Sequence, residues 1–207
     1  MFNALIVEDS RVSRESFERE LETIENCRLA ASIENAANAV IACMKGDIDL
    51  VLMDVCTADN ESGLTAAAQI KKYSPGIKVI IMTSMPEYSF LERAREAGCD
   101  SFWYKETDEI PLAEVITRTL EGDRVWPESE PEVYIGLVSA GEFTKRELEV
   151  MRALTAGHRY EEIAEEMDIS VNTVKYHVKS ILQKTGFRST VQLVAEVVEK
   201  RLILPKY

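Results

Sequence analysis

Four short apolar runs of this chain end in side chains able to do chemistry. Ala4–Val7 runs into Glu8 and Asp9, and Leu50–Met53 stops at Asp54. Lys78–Met82 is followed by Thr83, and Ser101–Tyr104 by Lys105. A charge at the end of an apolar run is costly unless it is paired, metal-bound or chemically used. If the four ends meet, three carboxylates repel one another, and a divalent cation is the main thing that stabilises them. All-oxygen ligands favour Mg²⁺, with Mn²⁺ as a substitute. A hydroxyl and an ammonium at the same edge supply a donor and a positive charge. Both are what the equatorial oxygens of a transferred phosphoryl group need. Asp54 is then the candidate nucleophile, since a carboxylate accepts phosphoryl as an acyl phosphate.

The ends meet only if the runs are strands of one sheet. Leu50–Met53 is too short and too uniformly apolar for a half-exposed strand, and suits the centre of a parallel sheet covered on both faces. Leu29–Ile33 supplies a further strand. Between the strands the helical period returns. It spans a face of Val12, Phe17, Leu21 and Ile24, then Ala36–Met44, then about Leu64–Tyr73, about Glu87–Ala97 and Glu109–Leu120. Five strands alternating with helices predict an α/β fold with right-handed crossovers and the doubly wound order 2-1-3-4-5, as in flavodoxin-like proteins. In that order the strands carrying Glu8, Asp9, Asp54, Thr83 and Lys105 open on one crevice at their carboxyl ends.

Residues 123–142 break this pattern with Pro127, Pro131, Gly136, Gly141 and five acids, and are expected to be a linker between a domain at 1–122 and another at 143–207. Within it, Val133–Val138 is apolar enough to pack on one of the domains. From Thr144 a small all-α domain of four helices is expected. Thr144 with Glu147 forms a capping box, and Gly157 ends the first helix. Tyr160–Met167 is a short second helix, joined through Asp168-Ile169-Ser170 to a third that Gly186 stops; Ser189–Arg201 is the fourth. A short turn between two helices, the second basic, is the helix-turn-helix pattern. On the third helix Val174, Val178, Ile181 and Leu182 form a buried stripe, which leaves Lys175, Tyr176, Lys179 and Gln183 outward. Such a face suits the major groove of double-stranded DNA.

Residues 1–121 resemble the receiver domain of two-component response regulators, on Glu8-Asp9, Asp54, Thr83 and Lys105 in strand-end register. The resemblance implies Asp54 as phospho-acceptor, and Glu8, Asp9, Asp54 and the Cys56 backbone carbonyl as metal ligands. It also implies Phe102, three residues before Lys105, as an aromatic switch that follows Thr83. Two features depart from the family: the loop Val55–Gly63 has no proline and is one residue longer, and Trp103 and Tyr104 are bulky. Residues 143–201 resemble the LuxR-type DNA-binding domain, on Phe143–Glu147, Ala156-Gly157, Glu162-Ile163-Ala164, Asn172–Val178 and Ile181–Gly186. That resemblance implies Lys175, Tyr176 and Lys179 at base edges and Thr173, Lys184 and Arg188 at phosphates. The last helix, through Val191, Val194, Ala195 and Val198, would be its dimer surface. Together they imply a regulator of the NarL/FixJ kind, phosphorylated by a sensor histidine kinase and binding DNA as a homodimer.

Composition is consistent with this reading. The net charge of −12 would argue against nucleic acid, but residues 1–122 hold −10 of it and 143–207 carry +2. Lys175, Lys179, Lys184 and Arg188 fall in a stretch, 169–188, with no acid. Four cysteines without CxxC spacing and two histidines make a zinc site improbable and fit reduced thiols of a cytoplasmic chain. No run approaches the roughly 18 apolar residues of a membrane span, and the N-terminus has no signal-peptide pattern. Enzymes are the first rival, but aspartyl-nucleophile phosphatases want a second Asp where Cys56 stands. Activity is therefore expected to stop at the chain's own phosphoryl transfer and dephosphorylation. A DNA-binding regulator that uses a degenerate receiver only to dimerise is the other alternative.

Overall fold

The structure, a computed structural model, describes residues 1–105, 109–128 and 131–203, with Asn60 by its backbone alone. The last four residues of the expected 143–207 domain lie outside these. The chain divides into two compact units, Met1–Ser84 with Ser89–Ser129, and Met85–Tyr88 with Glu130–Tyr207. None of the described helices is long and apolar enough to cross a membrane.

The first unit is built on strands β1 (Phe2–Val7), β2 (Cys27–Ile33), β3 (Leu50–Asp54), β4 (Lys78–Thr83) and β5 (Ser101–Tyr104). All pair in parallel in the order β2-β1-β3-β4-β5, the order expected. The intervening helices are α1 (Arg11–Leu21), α2 (Ala36–Lys45), α3 (Gly63–Tyr73), α4 (Phe90–Glu96) and α5 (Leu112–Glu121). Every residue of β3 is buried, so its apolar run is a sheet centre covered on both sides. One face packs Ala4, Ile6, Leu50, Leu52, Ile80, Met82 and Trp103 against Phe17 and Leu21 of α1 and Leu112, Val115 and Ile116 of α5.

Three sequence expectations shift for identifiable reasons. Val12 is 81% exposed, because five residues before Phe17 places it about 140° away around the helix. The α5 helix begins at Leu112 rather than Glu109, since Pro111 disfavours helical backbone at Ile110. Ile110 instead offers its carbonyl to the Trp103 indole N–H at 2.9 Å. The linker expected at 123–142 packs on both units among its described residues. Val125 is buried in the first unit's core, while Val133 and Ile135 are buried in the second's.

The second unit opens with a hairpin of β6 (Tyr134–Ile135) and β7 (Val138–Ser139). Gly136 turns it at φ +59°, and a Cβ there would collide with the Thr185 carbonyl. The helices α6 (Lys145–Thr155), α7 (Tyr160–Glu166), α8 (Val171–Thr185) and α9 (Thr190–Glu199) follow. The turn from α7 to α8 places Asp168 at φ +50°, a conformation Asp tolerates better than most residues. Ser170 then caps α8 by accepting the Thr173 N–H at 3.1 Å. Val174, Val178 and Ile181 are buried, each contributing about 1.5–3 kcal/mol relative to exposure.

One carboxylate ties α6 to α8. Glu147, buried in the first turn of α6, accepts from the Thr144 N–H at 2.8 Å, Ser180 Oγ at 2.8 Å and Lys184 Nζ at 2.7 Å. Burial opposes its charge, but these donors outweigh burial and hold its pKa down at about 2. A depressed carboxylate stabilises the fold above its unfolded value of 4.5, and that contribution is lost as pH falls toward 2. Glu147→Gln should therefore lower stability near neutral pH by about 1–3 kcal/mol. The gap to the wild-type chain should close between about pH 4.5 and 2 in urea unfolding; a gap independent of pH would contradict the role given to this charge.

Candidate functional site: a strand-end acidic pocket and a basic helix

The carboxyl ends of β1, β3, β4 and β5 bring the expected residues together. Glu8, Asp9 and Asp54 each place a carboxylate oxygen within 4.8 Å of the others. Lys105 reaches back from the end of β5 and bridges two of them, at 2.5 Å to Glu8 Oε2 and 3.0 Å to Asp54 Oδ1. Thr83 is buried, and its carbonyl accepts the Lys105 N–H at 2.9 Å, which fixes where that lysine leaves the sheet.

Burial dominates the electrostatics. It pushes the Asp54 carboxyl up, with Lys105 pulling the other way and Glu8 and Asp9 adding to the rise, to about 7. Burial also works against the Lys105 ammonium, yet Asp54 and Glu8 together outweigh it and raise its pKa. The pocket thus holds more carboxylates than its one lysine balances, and the donor set suits a hard divalent cation. A bound cation would favour the ionised Asp54 further.

The loop after Asp54 is held by hydrogen bonds of its own. Asp54 Oδ1 accepts the Val55 N–H at 2.9 Å. Cys56, expected to offer its carbonyl to a metal, is half-buried two residues on and pairs in a bridge with Ser62. The Thr57 hydroxyl donates to the Glu61 carbonyl at 2.8 Å and accepts the Ala36 N–H at 3.1 Å, so the longer loop is pinned to the start of α2. Gly63 is required by close approach, since a Cβ there would run into the Asp54 carbonyl.

Sequence reasoning missed Arg14. Its guanidinium donates to the Glu8 carbonyl at 2.6 Å and pairs with Glu34 at 2.8 Å, anchoring the strand end that presents the acids. An arginine on an exposed-looking helix turn gives no periodic signal of such a role. Phe102 is buried, in edge contact with Tyr104 at 4.9 Å between ring centroids.

In the second unit Lys175, Tyr176 and Lys179 are all exposed along α8, with Tyr176 at 69%. The Tyr176 ring stands edge-on to His177 at 5.7 Å. Arg188 is exposed beyond the end of the helix, while the Thr173 hydroxyl is 2.8 Å from Ser170 Oγ in the cap. Lys184 is placed differently from the other basic residues. Its ammonium donates to Glu147 and, at 2.9 Å, to the Glu142 carbonyl, and it lies 5.7 Å from the Phe143 ring centroid. The buried charge of Glu147 draws it inward.

Comparison with known proteins agrees unit by unit. The family model of the response regulator receiver domain matches residues 4–117, and that of the luxR family of bacterial regulatory proteins matches residues 142–197. Response regulator protein VraR of Staphylococcus epidermidis is 30% identical over 207 residues, covering 96% of this chain and 97% of that protein; VraR of Staphylococcus aureus aligns to the same extent. Among solved structures, RcsB of Salmonella enterica serovar Typhimurium bound to a promoter shares the fold at TM-score 0.65 and 19% identity, over 95% of this chain and 97% of that one. An expected receiver fold, an expected helix-turn-helix and an end-to-end relative therefore converge: the chain belongs to the response regulators, and it joins a receiver domain to a LuxR-type DNA-binding domain.

Proposed function

We propose that this chain is a cytoplasmic transcriptional regulator switched by phosphoryl transfer to Asp54. The observation that carries the proposal is the Lys105 ammonium set between Glu8 and Asp54 in a pocket with surplus carboxylate. An Asp54 oxygen attacks the phosphorus of a kinase phosphohistidine, the P–N bond breaks, and the imidazole leaves with the electron pair. Mg²⁺, or Mn²⁺ in its place, would be held by Glu8, Asp9, Asp54 and the Cys56 carbonyl, and supplies charge neutralisation when bound. Lys105 and the Thr83 hydroxyl meet the phosphoryl oxygens, and Phe102 follows Thr83. Water later hydrolyses the acyl phosphate and restores the carboxylate. Beyond this self-directed transfer and hydrolysis, the chain acts by binding.

On the output side α8 enters the major groove of double-stranded DNA. Lys175, Tyr176 and Lys179 face base edges, and Thr173 and Arg188 face phosphates. Lys184 holds α8 to α6 through Glu147, so its contribution to DNA affinity is indirect. The exposed Val191 and Val198 of α9 suit a homodimer bound to two half-sites about one DNA turn apart.

Two measurements test these assignments. With Mg²⁺ and acetyl phosphate the wild-type chain should take up one phosphoryl group, read as a shifted band on a phosphate-affinity gel. Asp54→Asn should take up none, and Lys105→Ala should do so about 10²-fold more slowly. Equal labelling of Asp54→Asn would refute the acceptor assignment. On a random-sequence duplex, where Lys175 and Lys179 meet phosphates rather than a preferred base, alanine at both should flatten the dependence of log affinity on log salt by about 2, close to one per lysine. Lys184→Ala should leave that slope unchanged, and the opposite pattern would reverse the roles given to these lysines.

A further inference from the structure

The switch position, Phe102, touches a residue the receiver fold does not require. Trp126 lies in the segment following α5, and its ring stacks on Phe102 at 25° and 6.2 Å between centroids. Two hydrogen bonds between Val125 and β5 hold this segment in place. The Phe102 N–H donates to the Val125 carbonyl at 2.9 Å, and the Val125 N–H donates to Ser101 Oγ at 3.0 Å. Ser101 Oγ is in turn 2.7 Å from the Thr119 hydroxyl of α5. The Trp126 ring also takes the Arg95 guanidinium of α4 at 5.1 Å from its centroid. The segment is therefore tethered to the β5 edge and sets an indole against the switch ring.

The other end of this contact leads to the acidic pocket. Phe102 and Tyr104 are two residues apart on β5 and so share one face of the sheet. Their rings meet edge to face. Tyr104 is the register partner of Thr83 on β4, which puts the hydroxyl that would meet a phosphoryl group on that same face. A row of three aromatic rings, Tyr104, Phe102 and Trp126, thus leads from the strand end that carries Thr83 to the chain segment leading out of the receiver domain.

We propose that Trp126 is the positioning residue of the switch: it clamps Phe102 in the unphosphorylated chain, and phosphorylation at Asp54 breaks the stack and frees the segment that follows. The proposal rests on Asp54 as phospho-acceptor and on the movement of Thr83 toward the phosphoryl oxygens. When Thr83 moves, Tyr104 loses its register partner, its ring shifts against Phe102, and the Phe102 ring turns away from the indole. Because a stack that opposes switching must also oppose whatever drives switching, removing the indole favours the phosphorylated geometry. An aromatic pair of this kind shifts such an equilibrium by about 2- to 10-fold.

The test uses the full chain carrying 5-fluorotryptophan, whose two indoles, Trp103 and Trp126, give two ¹⁹F resonances assigned with Trp126→Phe. On addition of Mg²⁺ and acetyl phosphate, the Trp126 resonance should move in step with the phosphorylated fraction measured by gel, and should stay still in Asp54→Asn. Trp126→Leu should bind beryllofluoride with Mg²⁺ about 2- to 10-fold more tightly than wild type, while Trp126→Phe, which keeps a stacking ring, should return toward wild-type affinity. A stationary Trp126 resonance in a fully phosphorylated chain overturns the proposal and leaves the acceptor assignment intact. So does an unchanged beryllofluoride affinity in Trp126→Leu. A wild-type chain that takes up no phosphoryl group overturns both.

Discussion

The Lys105 ammonium between Glu8 and Asp54 is the interaction on which the receiver half depends. The fold buries two carboxylates at adjacent strand ends, and neither Asp54 nor Glu8 has a hydrophobic reason to be there. Lys105 offsets part of that cost with contacts of 2.5 and 3.0 Å. Taking away the lysine would leave both buried carboxylates uncompensated, at a cost of about 3–5 kcal/mol. The balance is also incomplete, because Asp9 joins the same cluster and burial still raises Asp54 to about 7. An underbalanced pocket responds to a cation and to a phosphoryl group, whereas a fully neutralised one would not.

The second unit uses the same chemistry for rigidity. Glu147 is as buried as Glu8 and Asp54, but its charge is answered by three donors, from Thr144, Ser180 and Lys184. Its pKa therefore falls where that of Asp54 rises. The contrast separates a carboxylate that fixes one helix on another from one left poised for chemistry. Holding α8 from behind lets Lys175 and Lys179 project without being drawn into internal pairs.

The sequence was most legible where one periodicity or one spacing decided the outcome. All five strands could be placed from apolar runs, because a buried parallel strand has few other ways to be written, and the strand order followed from the helices between them. The pocket residues were legible because chemistry at a strand end interrupts the run. The stripe Val174, Val178, Ile181 likewise marked α8. Contacts made by backbone or across long separations left no such trace. Arg14 acts through the Glu8 carbonyl, and Lys184 is turned inward by a carboxylate 37 residues earlier. Val125 and Trp126 stand among charged and proline residues that resemble a tether, yet Val125 bonds to Ser101 and Phe102 at the β5 edge and Trp126 stacks on Phe102.

Asp54 and α8 sit in different units, so the account's central claim is that charge placed on one alters the DNA binding of the other. The direct measurement is the affinity of the full-length chain for a duplex selected from a random pool, taken at one fixed salt concentration with and without acetyl phosphate and Mg²⁺. The account predicts tightening by about fivefold or more in the wild-type chain, a typical coupling between two sites, and none in Asp54→Asn. Equal affinity of the phosphorylated and unphosphorylated wild-type chains would contradict it.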